Sequence, residues 1–515
     1  MSPPQPSFSY RVRTQMTSLP RLLTAVLAVV LLTMPAAAHA SASLETGIAD
    51  DAAVLYEPSD AKAAATVAQW AAAGIDDVRI FAQWQAIAPA NSDVRAPAGF
   101  NSADPNSPGY DWSRVDRAVN LVSAAGMHPM LVVTGPGPVW ASQVPGRHNV
   151  RYKPRPDLFG QFARAAALRY AGAVDRWIIW NEPNLPLWLQ PQNTCKGKSC
   201  TPYAPHLYSR LVRAAYPAIK TVDPTSTVLF GALAPNGENS TKQNARTRPL
   251  AFIRSMGCVK VTLKRDRSGP CKGFKPLTAD GLAYHPHATK LAPNEQQAVL
   301  GNVSIGDLPR LERTLDATQR AGGLKKAGAG KFPLYFTEWG YQTQPPDRTR
   351  GVSLAKQSRY LQQGAYIAYR DPRVRLLTQY EWRDERVRRS TGGDPYAGWQ
   401  SGLRFVNDKA KPALKSFANP FFIDQRPGSR TARLWGQVRP GVTHRVTVQR
   451  RKAGARRWTT VKALSTNGSG YWTLRQTVKA TADYRFRWQP ADQYGAPTGA
   501  VKTSDVLRVR VKRTR

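Results

Sequence analysis

The sequence predicts an α/β fold, a (β/α)8 TIM barrel, followed by a small C-terminal all-β sandwich of the immunoglobulin or fibronectin kind. Between residues 50 and 418, short apolar runs alternate with longer helical patterns. Several runs are almost continuously apolar, which is typical of parallel strands covered on both faces. Near Pro420 the apolar pattern changes to a period of two, which indicates antiparallel strands. The 515 residues also exceed what a single hydrophobic core holds, so more than one domain is expected.

Eight runs are predicted as strands, because each is short, apolar and followed by polar or turn-forming residues. They are Ala53–Tyr56, Val78–Trp84, Met130–Thr134, Trp177–Trp180, Val228–Gly231, Gly281–Tyr284, Pro333–Thr337 and Leu376–Tyr380. Segments with an apolar face at helical spacing are predicted as helices. They are Asp60–Ala73, Asp111–Ala125, Asp157–Tyr170, Pro205–Thr221, Leu308–Ala321 and Ser353–Tyr369.

This alternation of strands and helices is typical of a closed barrel. The alternative is a doubly wound open sheet, which should carry a glycine-rich phosphate turn after its first strand. Here Pro58-Ser59-Asp60 follows the first predicted strand instead. The barrel domain is therefore assigned to residues 41–420.

A secretory leader is predicted over residues 1–40. Arginines precede the apolar run Leu22–Met34, and Ala38-His39-Ala40 supplies a small-residue cleavage site. The run is too short for a membrane span, and no later run reaches the roughly 18 apolar residues that a spanning helix needs. We therefore expect a Sec signal peptide and a mature secreted chain that begins at Ser41 and has no transmembrane segment.

The predicted β-sandwich covers residues 421–515. Tyr484, Phe486 and Trp488 alternate there with Arg485 and Arg487, so one face of the strand is apolar and the other is basic. The segment holds 21 Lys and Arg against four Asp. We expect it to be a small domain with a strongly basic outer face.

The charge of the whole chain is also strongly positive, with 73 Lys and Arg, 34 Asp and Glu and a formal net charge of +39. Such a charge indicates a nucleic-acid partner, an anionic cell surface or simply a solvated face. The leader and the even spread of Lys and Arg along the chain argue against nucleic acid. We expect cell-wall association through an anionic cell-envelope polymer that the C-terminal domain contacts.

Four cysteines remain after the leader, and an even number in an oxidising compartment favours disulfides. Pairing Cys195 with Cys200 and Cys258 with Cys271 is the most economical of the three possible connectivities. No His or Cys follows these residues at zinc-finger spacing, so no metal site is expected.

Two strand ends carry acidic residues, and barrel enzymes place their catalytic groups at the C-terminal ends of strands. The fourth predicted strand ends in Trp180-Asn181-Glu182-Pro183-Asn184, and the seventh in Thr337-Glu338-Trp339-Gly340. An ionised side chain beside a hydrophobic strand is costly unless it serves a site. Because strands four and seven end in one basin, Glu182 and Glu338 form a candidate pair for cleaving a glycosidic bond.

These motifs resemble those of clan A glycoside hydrolases. The string Trp180-Asn181-Glu182-Pro183-Asn184-Leu185, followed by Trp188, is most similar to family 39, which includes β-xylosidases, α-L-iduronidases and relatives acting on bacterial exopolysaccharides. The resemblance covers roughly residues 50 to 418. It implies a retaining mechanism with Glu182 as the acid/base and Glu338 as the nucleophile.

The resemblance also implies substrate-binding roles for Asn181, Arg79, His285, His287 and Trp382. Asn181 would bind the 2-hydroxyl of the sugar, Arg79 would support the nucleophile, and Trp382 would form the aromatic floor of the sugar site. His285 matches the His that many clan members carry after strand six. His287 stands where those members have a Tyr that contacts the nucleophile.

Together these features predict a secreted retaining glycosidase that acts on a poly- or oligosaccharide and needs no cofactor or metal. Two alternatives stay open. One is a barrel that binds envelope polysaccharide without cleaving it, against which the retention of both Glu182 and Glu338 argues. The other is a basic extracellular nucleic-acid binder, which would show a steep salt dependence of DNA affinity and no glycan hydrolysis.

Overall fold

The computed structural model describes residues 42–197, 199–238, 242–388, 396–492 and 496–511. The predicted signal peptide lies outside these described residues. These described residues form one compact unit. Among the helices in the described ranges, none is both long and apolar enough to span a membrane.

Eight parallel strands close into a barrel in which each strand pairs with its neighbours in the sequence and the last pairs with the first. They are β1 Glu45–Ala49, β2 Asp77–Gln83, β3 His128–Thr134, β4 Arg176–Ile179, β5 Thr227–Leu233, β6 Gly281–Tyr284, β7 Leu334–Trp339 and β8 Val374–Tyr380. At the closing seam Gly47 pairs with Thr378. The closed barrel confirms the predicted fold class and excludes the open sheet.

Helices follow the strands around the outside of the barrel. They are α1 Asp51–Val54, α2 Asp60–Ala72, α3 Trp84–Ile87, α4 Ser113–Ala124, α5 Pro156–Arg169, α6 Ala204–Val222, α7 Pro249–Met256, α8 Leu308–Arg320, α9 Leu354–Arg370 and α10 Pro412–Ala418. Short strand pairs decorate the loops: Asn193–Lys196 with Ser199–Pro202, Leu277–Ala279 with Leu324–Lys326, and Thr343–Gln344 with Val352–Ser353. All six predicted helices and seven of the eight predicted strands are confirmed to within two residues at each end.

The first predicted strand is wrong. The apolar run Ala53–Tyr56 does not form a strand, because Asp50 caps a one-turn helix there by accepting a hydrogen bond from the Ala53 amide at 3.0 Å. The true first strand is β1, which precedes that run and carries Glu45, Thr46 and Gly47. Gly47 is required there, since a Cβ at this position would lie 2.4 Å from Thr378 Oγ1.

The barrel core continues outward into the helices. Helix α9 illustrates this, because its Gly364 leaves space for the buried ring of Trp339 at the end of β7, which a Cβ at Gly364 would approach within 2.1 Å. Position 364 is therefore small so that the strand carrying Glu338 can pack against α9.

From Phe421 onward the chain forms two antiparallel sheets. The strands are β9 Phe421–Asp424, β10 Thr431–Gln437, β11 Arg445–Lys452, β12 Thr459–Ser465, β13 Tyr471–Thr477, β14 Ala482–Trp488, β15 Lys502–Thr503 and β16 Leu507–Val509. One sheet has the order β9-β10-β13, and the other has the order β12-β11-β14-β15, with β16 also pairing β14. The predicted alternation is confirmed, because Tyr484, Phe486 and Trp488 are buried between the sheets while Arg485 and Arg487 face outward.

The C-terminal sheets share a hydrophobic core with the barrel. Trp435 of β10 is fully buried, and its ring lies 5.5 Å from that of Tyr369 in α9. The ring of Tyr471 in β13 packs at a tilt against that of Tyr369 at 4.9 Å, and its hydroxyl donates a hydrogen bond to the Leu44 carbonyl. Asp505 accepts hydrogen bonds from two α9 side chains. The two parts of the chain therefore pack as one body.

Both expected disulfides are present, Cys195–Cys200 and Cys258–Cys271. The first joins the two strands of a short hairpin after β4, and the second closes the loop that follows α7. Both bridges hold loops and lie outside the barrel strands.

Candidate active site

The two predicted acids lie together at the C-terminal end of the barrel. Glu338 is part of β7, and Glu182 follows β4 by three residues. A carboxylate oxygen of Glu182 lies within 4.8 Å of one of Glu338. The side chain of Glu338 is 8% exposed and that of Glu182 is 17% exposed, so Glu338 is the more buried of the two.

His285, which follows β6, lies between these two acids. Its Nδ1 is 3.2 Å from Glu182 Oε1 and 3.5 Å from Glu338 Oε2. The ring is fully buried and its Nε2 has no hydrogen-bond partner among the described residues. The imidazole therefore fixes the separation of the two carboxyl groups.

Arg79 on β2 holds Glu338 from the other side. Its Nη2 lies 2.9 Å from Glu338 Oε1 and 3.9 Å from Asp51 Oδ2, and its guanidinium stands 4.5 Å from the centre of the Phe81 ring. Asp51, in the first turn of α1, also accepts a hydrogen bond from the Phe81 amide at 3.0 Å. Arg79 thus lies between two carboxylates, and the arrangement fixes its orientation.

These neighbours set the protonation of Glu338. Burial alone would raise its pKa, but His285, Arg79 and His287 outweigh the burial and lower the pKa from 4.5 to about 2. Burial raises the pKa of Asp51 to about 6, against the opposing effect of Arg79. Glu338 is therefore ionised at any physiological pH.

The backbone after β4 is strained where it presents Glu182. Trp180 and Glu182 have positive φ angles of 68° and 39°, a region that L-residues rarely adopt. The Trp180 ring packs on Gly135, where a Cβ would lie 2.2 Å from it. The Glu182 amide donates to the Ala232 carbonyl at 3.0 Å, which ties the turn to the end of β5.

Asn184 maintains this turn. Its Nδ2 donates to the carbonyls of Ala234 and Thr247, and its Oδ1 accepts from the Ala234 amide at 2.9 Å. The side chain is fully buried. The second Asn of the Asn-Glu-Pro-Asn motif is therefore structural, and it links the β4 and β5 loops that border the site.

Asn181 lies beside Glu182. Its backbone amide donates a hydrogen bond to Thr134 Oγ1 at 3.1 Å, which attaches the residue to the end of β3. The residue is 2% exposed, and its side-chain Oδ1 has no hydrogen-bond partner among the described residues. A buried amide oxygen without a partner is costly unless a ligand supplies the donor.

The aromatic prediction needs correction. Trp382 is 2% exposed, its backbone amide donates to Asp50 Oδ2 at 3.1 Å, and its indole N–H donates to Gln69 Oε1 of α2 at 3.2 Å. Asp50 draws the chain after β8 toward β1, so this ring packs in the core and does not line the cavity beside Glu182. Trp399 lines the cavity wall instead, and the centre of its ring lies 5.0 Å from that of His287.

His287 also contacts the nucleophile candidate. Its Nε2 approaches Glu338 Oε2 within 3.6 Å, and its ring packs edge-on to Tyr380 at the end of β8. Tyr380 and Trp399 are 5.2 Å apart and both are partly exposed. The three rings form a wall next to Glu338.

A cavity of about 400 Å³ opens at this end of the barrel. Glu182, His287 and Trp399 line its inner part, and Arg246 and Arg350 lie on its outer part. Its size suits one or two sugar rings of a bound glycan, since small-molecule sites span roughly 300–1,000 Å³.

Two groups of residues in the described ranges bring three potential metal ligands within 4.8 Å of one another. In the first, His206 stands beside Cys258 and Cys271, whose sulfurs are joined in a disulfide and so are not thiolates. The second is Glu182, His285 and Glu338. Here the Arg79 guanidinium already supplies a positive charge 2.9 Å from Glu338. Arg79 would therefore repel a metal ion at this carboxylate.

Sequence reasoning missed Asp51, Tyr380 and Trp399. Asp50 and Asp51 directly follow β1, so the strand-end rule that found Glu182 and Glu338 also finds them once β1 is correctly placed. Trp399 lies in a loop well after β8, and no local pattern distinguishes it from the other 13 Trp of the chain.

No known family model matches the chain, and no curated protein matches it either. Among solved structures it is similar to a family 39 glycoside hydrolase from Bacteroides cellulosilyticus WH2, with 15% identity over 87% of this chain and 81% of that one and a TM-score of 0.49. It is also similar to a glucosidase from Croceicoccus marinus, with 13% identity over 85% and 94% of the two chains and a TM-score of 0.46. A third is a family 10 endoxylanase from a sugarcane soil metagenome, with 14% identity over 73% and 96% and a TM-score of 0.43.

Proposed function

We propose that this protein is a secreted retaining glycoside hydrolase that cleaves O-glycosidic bonds in a poly- or oligosaccharide by double displacement. The observation that carries the proposal is the pair of carboxyl groups whose oxygens lie within 4.8 Å of each other. Retaining glycosidases hold their carboxyl groups ~5–5.5 Å apart, whereas inverting ones leave ~6.5–9.5 Å for a water. The spacing supports direct attack by a carboxylate on the anomeric carbon.

The surroundings of the two acids support different roles. Glu338 is ionised, is held by Arg79 and is the more buried of the two, which suits a nucleophile. Glu182 is more exposed to the cavity, and its side-chain oxygen contacts His285 rather than Arg79. It is the group that donates and accepts the proton.

The reaction then has two steps. Glu338 attacks the anomeric carbon while Glu182 gives its proton to the departing glycosidic oxygen, and a covalent glycosyl–Glu338 ester forms. In the second step Glu182 takes a proton from a water, whose oxygen attacks the anomeric carbon and releases Glu338 as the carboxylate. Both displacements invert the anomeric carbon, so the net configuration is retained. No cofactor takes part.

Asn181 and the ring wall would bind the sugar. The unpartnered Oδ1 of Asn181 lies next to Glu182 and can accept a hydrogen bond from the 2-hydroxyl, an interaction that strengthens in the transition state. Trp399 offers a partly exposed ring for stacking against the apolar face of a sugar.

The proposed setting is outside the cytoplasm, in association with the cell wall. The predicted leader and the two disulfides support an oxidising compartment. The proposed domains are a barrel of residues 41–420 that carries the chemistry and a basic sandwich of residues 421–515. The sandwich would contact an anionic cell-envelope polymer, which its excess of Lys and Arg supports.

The test is a screen of aryl glycosides and envelope polysaccharides with the purified mature protein, followed by variants. Glu338→Ala should abolish turnover, and azide should restore it with a product of inverted configuration. Glu182→Ala should slow substrates with poor leaving groups far more than activated aryl glycosides. Glu295→Ala, an exposed Glu after β6, is the matched control and should leave turnover unchanged.

Two outcomes would overturn the proposal. Polysaccharide binding without turnover of any glycan would support a barrel that binds envelope polymer only. DNA affinity that falls steeply with salt, together with the absence of glycan hydrolysis, would support a nucleic-acid binder.

A further inference from the structure

The larger C-terminal sheet carries a groove on its outer face, remote in sequence from the barrel residues that line the active-site cavity. The groove has a volume of about 1110 Å³. Arg445, Thr447 and Gln449 of β11 and Arg487 of β14 form its floor, and the segments around Val442 and Pro490 form its sides. We call it the Arg445 groove.

Strand geometry turns the floor side chains outward. Thr447 pairs with Arg487 across β11 and β14, and Arg445 lies two residues before Thr447 on the same face. Their neighbours Val446, Val448 and Phe486 point inward and are fully buried. The two guanidinium groups therefore stand on adjacent strands, at a diagonal spacing of roughly 7–8 Å between their backbone positions.

Charge is unevenly distributed along this sheet face. At one end Asp483 forms ion pairs with Arg451 at 3.1 Å and with Arg508 at 2.7 Å. At the groove end, Arg445 and Arg487 form no ion pair with any carboxylate of the described residues, and the one acid at the groove is Asp492 on its rim. The groove end of the sheet is left with uncompensated positive charge.

The other acids of the C-terminal segment point elsewhere. Asp424 accepts a hydrogen bond from Tyr366 of α9 at 2.6 Å, and Asp505 bonds to α9 and lies 3.5 Å from Lys415 of α10. Both serve the contact with the barrel. The arrangement concentrates negative charge at the barrel side and positive charge on the outer sheet face.

We propose that the Arg445 groove binds a linear anionic polysaccharide, with Arg445 and Arg487 each holding a carboxylate or phosphate group of successive sugar units. Guanidinium groups bind these oxyanions through paired N–H donors. Thr447, opposite Arg487, supplies a hydroxyl for sugar hydroxyl groups. Gln449, two residues further along β11, supplies the N–H donors of its amide, since its Oε1 accepts a hydrogen bond from Arg485 Nε at 2.9 Å. The proposal deepens the proposed function, on which it rests for the class of polymer.

The groove is poorly suited to nucleic acid. Proteins that hold single strands stack the bases on exposed aromatic rings. The Trp488 ring at this groove is 4% exposed and lies under Lys502, at 4.9 Å. Trp458, further along the same sheet, is covered by Arg451 and Arg485 at 4.7 and 4.2 Å. Neither of these Trp rings is open for base stacking, and the His444 ring, which also lines the groove, packs against the Trp488 ring at 4.7 Å.

Binding of the full-length protein to fluorescent polymers tests the proposal, with polygalacturonate for carboxylate, a glycerol-phosphate polymer for phosphate, and dextran as the neutral polymer. The double variant Arg445→Gln/Arg487→Gln should weaken binding of at least one anionic polymer tenfold or more. Arg456→Gln/Arg457→Gln removes the same charge from the exposed β11–β12 turn and should change it less than threefold. Whichever anionic polymer loses affinity identifies the oxyanion.

The proposal would be overturned if neither anionic polymer bound, or if both double variants lost the same affinity for the anionic polymers. It would also be overturned if dextran bound as tightly as the anionic polymers. If single-stranded DNA bound more tightly than the anionic polymers, and Arg445→Gln/Arg487→Gln abolished that binding, the groove would be assigned to nucleic acid instead. Binding is measured without turnover, so it reports on the groove even if no glycan is hydrolysed. Where a glycoside is hydrolysed, both double variants should retain its kcat/KM.

Discussion

An ionised carboxylate that is almost wholly buried needs a fixed countercharge, and Glu338 has one in Arg79. The cost of moving a carboxylate out of water is offset only when a partner lies close and is itself held in place. Asp51 and the Phe81 ring hold the Arg79 guanidinium, and His285 approaches the other oxygen of Glu338. The ionisation of Glu338 thus depends on a row of charges, Asp51–Arg79–Glu338, whose members come from three separate elements, α1, β2 and β7.

Arg79→Gln should therefore change the pH dependence of activity. In the native protein the pKa of Glu338 is about 2, so its protonation does not limit activity above pH 4. Losing an adjacent positive charge raises the pKa of a carboxyl by about 1–3 units. The acid limb of kcat/KM should move upward by a similar amount, whereas Arg79→Lys should move it less. An unchanged limb in a folded Arg79→Gln protein would contradict the assignment of Glu338.

The pKa of Asp51 is raised, whereas that of Glu338 is lowered, and this gives a prediction about the pH dependence of stability. The pKa of Asp51 in the folded protein is about 6, above the ordinary 3.8, so the folded state binds more protons than the unfolded state between these values. This contribution is complete below about pH 3.8 and is lost as pH rises through 6. Asp51→Asn, which keeps an oxygen for the Phe81 amide, should remove that loss.

The measurement is urea unfolding at pH 4, 5, 6 and 7. The free energy of unfolding of Asp51→Asn relative to the native protein should rise with pH, by at most about 3 kcal/mol at ~1.4 kcal/mol per pKa unit. Asp60→Asn, at an exposed position paired with Arg117, is the control. Its free energy of unfolding relative to the native protein should not change with pH. If the relative free energy of unfolding of Asp51→Asn were also independent of pH, the pKa of Asp51 would be the same in the folded and unfolded states.

At the scale of elements, the sequence predicts the barrel well because most of its strands are continuous apolar runs. β1 escapes prediction because two of its five residues, Glu45 and Thr46, are polar and a third is Gly47. Its sequence reflects contacts that only the closed barrel creates: Glu45 pairs with Arg176 of β4 at 2.9 Å, and Gly47 fits against Thr378 of β8. A local pattern cannot contain these partners.

The same limit applies to the candidate site residues. Glu182 and Glu338 are found because their position at strand ends is a local feature. Trp382 is also near a strand end, but Asp50 and Gln69 direct it into the core. Trp399 reaches the cavity through a loop whose course the sequence pattern does not determine. Side-chain direction in loops depends on distant partners, which spacing along the chain does not reveal.

Gly364 in α9 provides a test of element packing. A glycine inside a helix ordinarily costs roughly 0.5–1 kcal/mol relative to alanine, so Gly→Ala would normally stabilise the protein. Here the added Cβ would lie 2.1 Å from the Trp339 ring, and overpacking of this kind costs ~1–3 kcal/mol. Gly364→Ala should lower the free energy of unfolding and, by shifting β7 beside Glu338, lower kcat/KM.

The control is Gly468→Ala in the turn before β13, where nothing lies within 4 Å of an added Cβ. Urea unfolding and kcat/KM should be near native in this variant. A stabilised Gly364→Ala protein with native activity would show that α9 moves freely relative to Trp339.

At the scale of the whole molecule, the C-terminal sheets are part of the barrel's packing. Arg439 is 6% exposed, donates to the Phe417 carbonyl at 2.9 Å and stacks over the Phe417 ring at 4.3 Å. Gly74, in the loop before β2, approaches Pro440 so closely that a Cβ would lie 2.7 Å from its Cα. A chain that ended near Pro420 would expose Tyr366, Tyr369 and Phe417 together.

The last prediction is that barrel and sandwich unfold in one transition. Trp435→Ala removes the ring that fills the space beside Tyr366 and Tyr369, at a cost of about 3–5 kcal/mol for a buried Trp. Because that ring belongs to the barrel's core, calorimetry of the full-length variant should show a single peak at lower temperature, and enzymatic activity should be lost along the same curve. Independent domains would give two peaks, of which only one moves, with barrel activity surviving the first. A chain cut after residue 420 separates the same two cases, since a shared core requires it to lose activity even on small soluble glycosides.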